Sequence, residues 1–271
     1  MPFRIGDHLA DFSLRAVLAA LGRGGSDPTF RADAAEVAAE LARMRADPRP
    51  LTRPLVILSG YHTPAQVAWW LRQRLATLTS GNPADILTVS YPAQTTIEGA
   101  AEQSLAAISK RWGRGVVERP EGLDVVGISM GGLVARFAAL APEARSIAGR
   151  PTEPSSGRLP IARLFTFATP HQGSHRAARI APDAAARDMK PDSAFLAALN
   201  AHPRAYPLVC YSQRGDAVVL PQAAAPPGLR PLVADGSRLM SHFTTAHNPW
   251  FLVDLARRLR GEAPLLDGPI G

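Results

Sequence analysis

The stretch LDVVGISMGGLVARFAAL, running from Leu123 to Leu140, decides how the rest of the chain is read. Leu123 to Gly127 is mostly apolar and β-branched, the composition of a strand. From Gly131 onward, Leu133, Val134, Phe137 and Leu140 recur at helical spacing. Between them lies Gly127-Ile128-Ser129-Met130-Gly131, a match to G-x-S-x-G. The five-residue pattern alone recurs by chance. A serine on a sharp turn between a strand and a helix is the context that gives it chemical meaning. Such a turn needs small neighbours, lifts the serine hydroxyl clear of the backbone, and aims the first amides of the helix at the same point. Those amides face the place where negative charge develops if Ser129 attacks a carbonyl.

This stretch resembles the nucleophile elbow of the α/β-hydrolases, in particular the bacterial lipase and carboxylesterase branch, whose elbow often reads G-H-S-M-G-G. Ile128 stands where that branch usually has histidine. The resemblance implies an α/β fold: a mostly parallel sheet with helices on both faces and a small helical cap. A second block, Thr169-Pro170-His171-Gln172-Gly173-Ser174, resembles the T-P-H-x-G-[ST] segment of the same branch. A third, Arg214-Gly215-Asp216-Ala217-Val218-Val219, resembles the loop that carries the acid.

Working outward, the chain alternates strand and helix patterns, as a parallel sheet covered on both faces requires. Leu55–Leu58 reads as a strand ending in Ser59-Gly60-Tyr61-His62. Pro64 opens a helix whose Val67, Trp69, Trp70, Leu71 and Leu75 are read as core. Ile86–Tyr91 is the next strand, and 96–112 an amphipathic helix. Strands at Ile161–Ala168, Leu208–Ser212 and Pro231–Ala234 follow, and a last helix spans Pro249–Leu259. Residues 1–50 read as an N-terminal helical segment packed on the core, with His8 chemically idle. Residues 51–271 form the hydrolase domain, with an insertion at about 175–207.

Further roles follow from the resemblance. Ser129 is the nucleophile, Asp216 the acid and His242, in Met240-Ser241-His242-Phe243, the base. The backbone amides of Tyr61 and Met130 form the oxyanion hole. His62, Phe195 and Leu196 contact substrate, the last two facing inward from the cap onto an acyl pocket. The order serine, aspartate, histidine is that of this fold. Rivals remain: His171 or His247 as base, and Asp235 as acid. Asp124 lies at the wrong end of its strand to serve.

The chemistry this implies is cleavage of carboxylic esters through an acyl-enzyme, with no metal or organic cofactor. Other readings of the same residues are a thioesterase, an acyltransferase, or an idle hydrolase fold that binds a small hydrophobic ligand. The partner expected is a small-molecule or lipid ester.

Composition sets the outer bounds. A chain of 271 residues, 46% hydrophobic and 20% charged, is long enough to bury a substantial core. The formal charge is +7, and all but Lys110 and Lys190 of the 30 basic residues are arginine. The arginines are scattered rather than gathered into a stripe with aromatics, which argues against nucleic-acid binding. Weak contact with an anionic membrane surface is the better match to the charge. Cys210 is the single cysteine, so no intrachain disulfide forms. With no apolar run of about 18 residues and no convincing leader, a cytoplasmic protein is expected, a secreted one with its signal removed being the alternative. Oligomeric state is not legible.

Overall fold

A computed structural model describes residues 32–79, 83–113, 121–145, 157–176, 179, 183–236 and 240–265. The first 31 residues of the expected N-terminal helical segment, His8 among them, lie outside the described residues, as do 177–178 and 180–182 of the insertion.

Six strands form one sheet: β1 (Leu55–Leu58), β2 (Ile86–Val89), β3 (Leu123–Ile128), β4 (Ile161–Phe167), β5 (Leu208–Gln213) and β6 (Leu232–Ala234). Their order is β2-β1-β3-β4-β5-β6, and every pairing is parallel. The chain starts in the interior of the sheet, steps outward to β2, then returns past β1 to β3. Between β1 and β3 the direction of winding reverses, and in open parallel sheets the carboxyl ends of the strands flanking such a reversal are where ligands bind. The loops after those two strands carry Gly60-Tyr61 and Ser129.

Alternation along the strands sorts their side chains onto two faces. Val56 and Leu58 of β1 join Val125, Leu164, Leu208 and Cys210 on one face. Leu55 and Ile57 join Val126, Phe165, Val209 and Tyr211 on the other. The first face is covered by α3 (Ile97–Trp112) and α4 (Met130–Ala138). The second is covered by α1 (Ala34–Ala46), α2 (Ala65–Leu78) and α8 (Pro249–Leu259). All four residues of β1 are 0% exposed, which is why its sequence is an unbroken apolar run. Each such side chain contributes about 1.5–3 kcal/mol of burial.

Helix ends follow local chemistry. Asp33 and Glu36 form a reciprocal capping box at α1, Thr96 caps α3, and Asn248 with Pro249 starts α8. On α1 only Val37, Leu41 and Met44 are buried, so it packs on the core by a narrow apolar stripe.

Two expectations are corrected. Trp69 and Trp70 are not core: they are 46% and 54% exposed. The buried stripe of α2 runs through Ala68, Leu71 and Leu75, at spacings of three and four, and both tryptophans fall beside it. The described part of the insertion packs on the core. Its helices α5 (Ala184–Asp188) and α6 (Ala194–Ala201) bury Ala185, Met189, Phe195, Leu196 and Leu199 in the same core cluster as α3 and α4. The ring of Phe195 lies 5.9 Å from that of Phe137, in the second half of α4. Phe195 and Leu196 are spent on packing and face no open acyl pocket, which corrects their reading as substrate contacts.

Candidate active site

Ser129 sits between β3 and α4 with φ 51° and ψ −122°, a conformation that side-chain-bearing residues rarely adopt. Holding it there costs of order 1–3 kcal/mol, which the surroundings must offset. They do so by close approach on both sides. A Cβ on Gly127 would lie 2.4 Å from the Cα of Gly132, and one on Gly131 would lie 2.3 Å from the carbonyl oxygen of Leu58. The glycines of the motif are therefore required by contact between backbones. Thr169 Oγ1, from the loop after β4, donates to the Ser129 carbonyl at 2.8 Å, and Ser129 N–H donates to the Phe167 carbonyl at 2.8 Å. The Ser129 side chain makes no capping bond to its own helix.

His242 is the second residue of the short helix α7 (Ser241–Thr244), which follows β6. Its Nε2 is 3.1 Å from Ser129 Oγ, and its Nδ1 is 3.0 Å from Asp216 Oδ2. Asp216 follows β5 and is 1% exposed. Its other oxygen, Oδ1, accepts the amides of Val218 and Val219 at 2.8 and 2.9 Å. Two backbone donors thus satisfy one oxygen and leave the second to the imidazole. With Oδ2 accepting, Nδ1 carries the proton, and Nε2 is the free acceptor facing the serine.

The histidine helix is tied down by a residue that sequence reading passed over. Gln213, the last residue of β5, accepts from Thr244 Oγ1 at 2.8 Å and from Thr245 Oγ1 at 3.4 Å. Its amide nitrogen donates to the Asp235 carbonyl at 3.3 Å. Gln213 gave no signal because a polar residue at a strand end reads as ordinary; its partners are 31 and 32 residues away.

The other candidates are occupied elsewhere. His171 is 0% exposed, with Nδ1 3.1 Å from Arg136 Nη1 and Nε2 3.2 Å from Thr166 Oγ1. Burial, and then the Arg136 charge, hold its pKa well below the usual histidine value. Arg136 can only donate, so Nδ1 accepts and Nε2–H donates to Thr166. Burial likewise lowers Arg136 to about 10. His247 packs edge-on to Trp70, and burial with the nearby Arg74 charge lowers it to about 4. Asp235 faces Arg214 at 3.4 Å, and Asp124 pairs with Arg163 at the far end of β3.

The loop after β1 runs directly against the serine. A Cβ on Gly60 would lie 3.2 Å from Ser129 Cβ and 2.6 Å from Thr63 Oγ1. Tyr61 is next in the chain, and Met130 is the first residue of α4. His62, with φ 47°, is at the exposed rim, 44% exposed in its side chain. Met240 and Phe243, 52% and 62% exposed, flank His242. Among the described residues, no cluster of three His, Cys, Asp or Glu side chains could hold a metal ion, and no helix is long and apolar enough to cross a membrane.

Similar folds occur among solved structures. Lipase B of Aspergillus fumigatus superposes with a TM-score of 0.54 at 14% identity, over 97% of this chain and 68% of that one. The propeptide form of the Bacillus licheniformis lipase BlEst2 gives 0.53 at 15% identity, over 83% of this chain. This chain spans about half of that structure, 53% of its length. No protein-family model and no curated protein matches the chain. The sheet order, the strand–serine–helix turn and these superpositions define the class: the chain has the α/β-hydrolase fold.

Proposed function

We propose that this protein is a serine hydrolase that cleaves carboxylic esters, with Ser129 as nucleophile, His242 as general base and Asp216 as its partner. One observation carries the reading. A single imidazole spans a serine hydroxyl at 3.1 Å and a buried carboxylate at 3.0 Å, on the strained turn of an α/β-hydrolase fold. The lipases that share this fold support the same class of reaction.

In this reading His242 Nε2 takes the Ser129 proton as Oγ attacks the ester carbonyl. Asp216 holds the Nδ1–H tautomer and stabilises the imidazolium that forms. The amides of Tyr61 and Met130 receive the oxyanion. The alcohol leaves with the proton from His242, and water repeats the steps in reverse on the acyl-enzyme. Exposed Met240 and Phe243 beside His242 favour an ester with an apolar part. On a chain of formal charge +7 they also suit weak contact with an anionic lipid surface, checked by salt-sensitive binding to anionic vesicles.

The test is covalent labelling by a fluorophosphonate probe together with hydrolysis of p-nitrophenyl esters from acetate to palmitate. Both are expected in the wild type and absent in Ser129→Ala. A wild type that neither labels nor turns over any ester leaves a ligand-binding fold instead. Labelling with turnover only of thioesters, or only with an added alcohol acceptor, assigns the thioesterase or the acyltransferase.

A further inference from the structure

The loop after β1 is held by more than its own turn. Within the loop the hydrogen bonds are long: Thr63 N–H to the Gly60 carbonyl and Thr63 Oγ1 to the Tyr61 carbonyl are both 3.3 Å. The short bond leaves the loop altogether. Tyr61 donates its hydroxyl to Asp183 Oδ2 at 2.5 Å, 122 residues along the chain. His62 Nε2 is 3.6 Å from the same oxygen, and its ring stands edge-on to Tyr61, with centroids 4.2 Å apart.

Asp183 is itself rigidly mounted. Its Oδ1 accepts the Ala186 amide at 2.8 Å and so caps α5. That helix buries Ala185 and Ala186 completely and donates the Ala185 amide to the Thr95 carbonyl at 2.8 Å. Burial pushes the Asp183 carboxyl up, but bonds from Tyr61, the Ala186 amide and His62 outweigh it and hold it below its ordinary value. Burial, and then Asp183, push the Tyr61 phenol up, so the pair is carboxylate and neutral phenol across the neutral range.

We propose that Asp183 is a positioning residue which, through the Tyr61 hydroxyl, fixes the loop after β1 so that the Tyr61 amide faces the oxyanion formed on Ser129. This rests on the ester-hydrolase reading above. The physical need is one of tolerance. An oxyanion donor acts at about 3 Å, and a shift of about 1 Å in a positioned group costs of order a hundredfold. A turn closed only by 3.3 Å bonds does not set that distance, whereas a charge-assisted bond to a carboxylate held as a helix cap does. The substituent that Gly60 lacks leaves the same loop in contact with Ser129, so the tether acts across one residue.

The deciding variant is Tyr61→Phe. It removes the tether yet keeps the backbone amide, and it leaves Asp183 capping α5. The expected result is a fall in kcat of about tenfold on a p-nitrophenyl ester, with KM within about twofold. Complete final labelling of Ser129 and an unchanged Tm should accompany it, with faster hydrogen exchange of the amides at 60–63. Asp183→Asn, which still caps a helix, should lose less kcat than Asp183→Ala. Adding it to Tyr61→Phe should cost nothing further, since both act on one path. An active wild type whose Tyr61→Phe variant keeps full kcat overturns the tether alone. A wild type that is neither labelled nor active overturns the hydrolase reading, and the tether's role falls with it.

Discussion

Two histidines stand near the carboxyl ends of this sheet, and their surroundings differ in every respect that matters to a base. His242 keeps 12% of its side chain exposed, has a carboxylate behind Nδ1 and presents Nε2 to a hydroxyl. His171 is wholly buried, has an arginine against Nδ1 and spends Nε2 on Thr166. A carboxylate favours the imidazolium that proton transfer creates, whereas a buried guanidinium opposes it. The same side chain is therefore fit to move a proton in one place and to brace a loop in the other. Asn200 completes the brace, accepting from Arg136 Nη1 at 2.8 Å and donating to the His171 carbonyl at 3.0 Å.

The contrast is broken most severely at the first histidine. His242→Ala should lower kcat on an activated ester by about ten-thousandfold while leaving Tm nearly unchanged; steady-state kinetics beside a melting curve check both. Asp216→Asn should approach that loss, at about a thousandfold or more, because an amide donor facing Nδ1 favours the wrong tautomer. A drop of less than tenfold in either variant would move the base or the acid elsewhere.

Smaller effects sharpen the other side of the comparison. A third histidine, His247, has its folded pKa lowered to about 4, against about 6.5 when unfolded. Between those values the unfolded chain binds the extra proton, so stability rises with pH. The contribution is fully present above about pH 6.5 and is lost as pH falls toward 4, amounting to about 3 kcal/mol. Urea titrations between pH 4.5 and 7 should show this slope, and His247→Gln should flatten it. Lowest in the series, His171→Leu should cost about 2 kcal/mol of stability by leaving Thr166 and part of Arg136 short of a partner. Its kcat per folded molecule should stay within a few-fold. A large kcat loss at full stability would instead give His171 a part in the chemistry.

Legibility in the sequence varied with the range of the interactions. The inner strand β1 could be read because burial on both faces forces a continuous apolar run, Leu55–Leu58. The elbow could be read because a backbone approach as close as that between Gly131 and Leu58 admits glycine only. The tryptophans of α2 misled because hydrophobicity shows that a side chain can be buried, while its angle around the helix decides whether it is. Phe195 and Leu196 misled for a related reason. Apolar residues in an insertion suit a pocket or a core equally, and contact with Phe137 on α4 settled which. Gln213, and the bond from Tyr61 to Asp183, carried no local signal, since the partners are distant in the chain.

By itself the sequence determined the alternation of strands and helices and the strained serine turn, because these depend on neighbours a few residues apart. It supplied Asp216 and Asp235, and His171, His242 and His247, without ranking them by any physical necessity. Only the tertiary structure decided which carboxylate and which imidazole reach Ser129. That choice depends on where the ends of β5 and β6 lie relative to β3, and on hydrogen bonds of about 3 Å between groups that no local rule brings together.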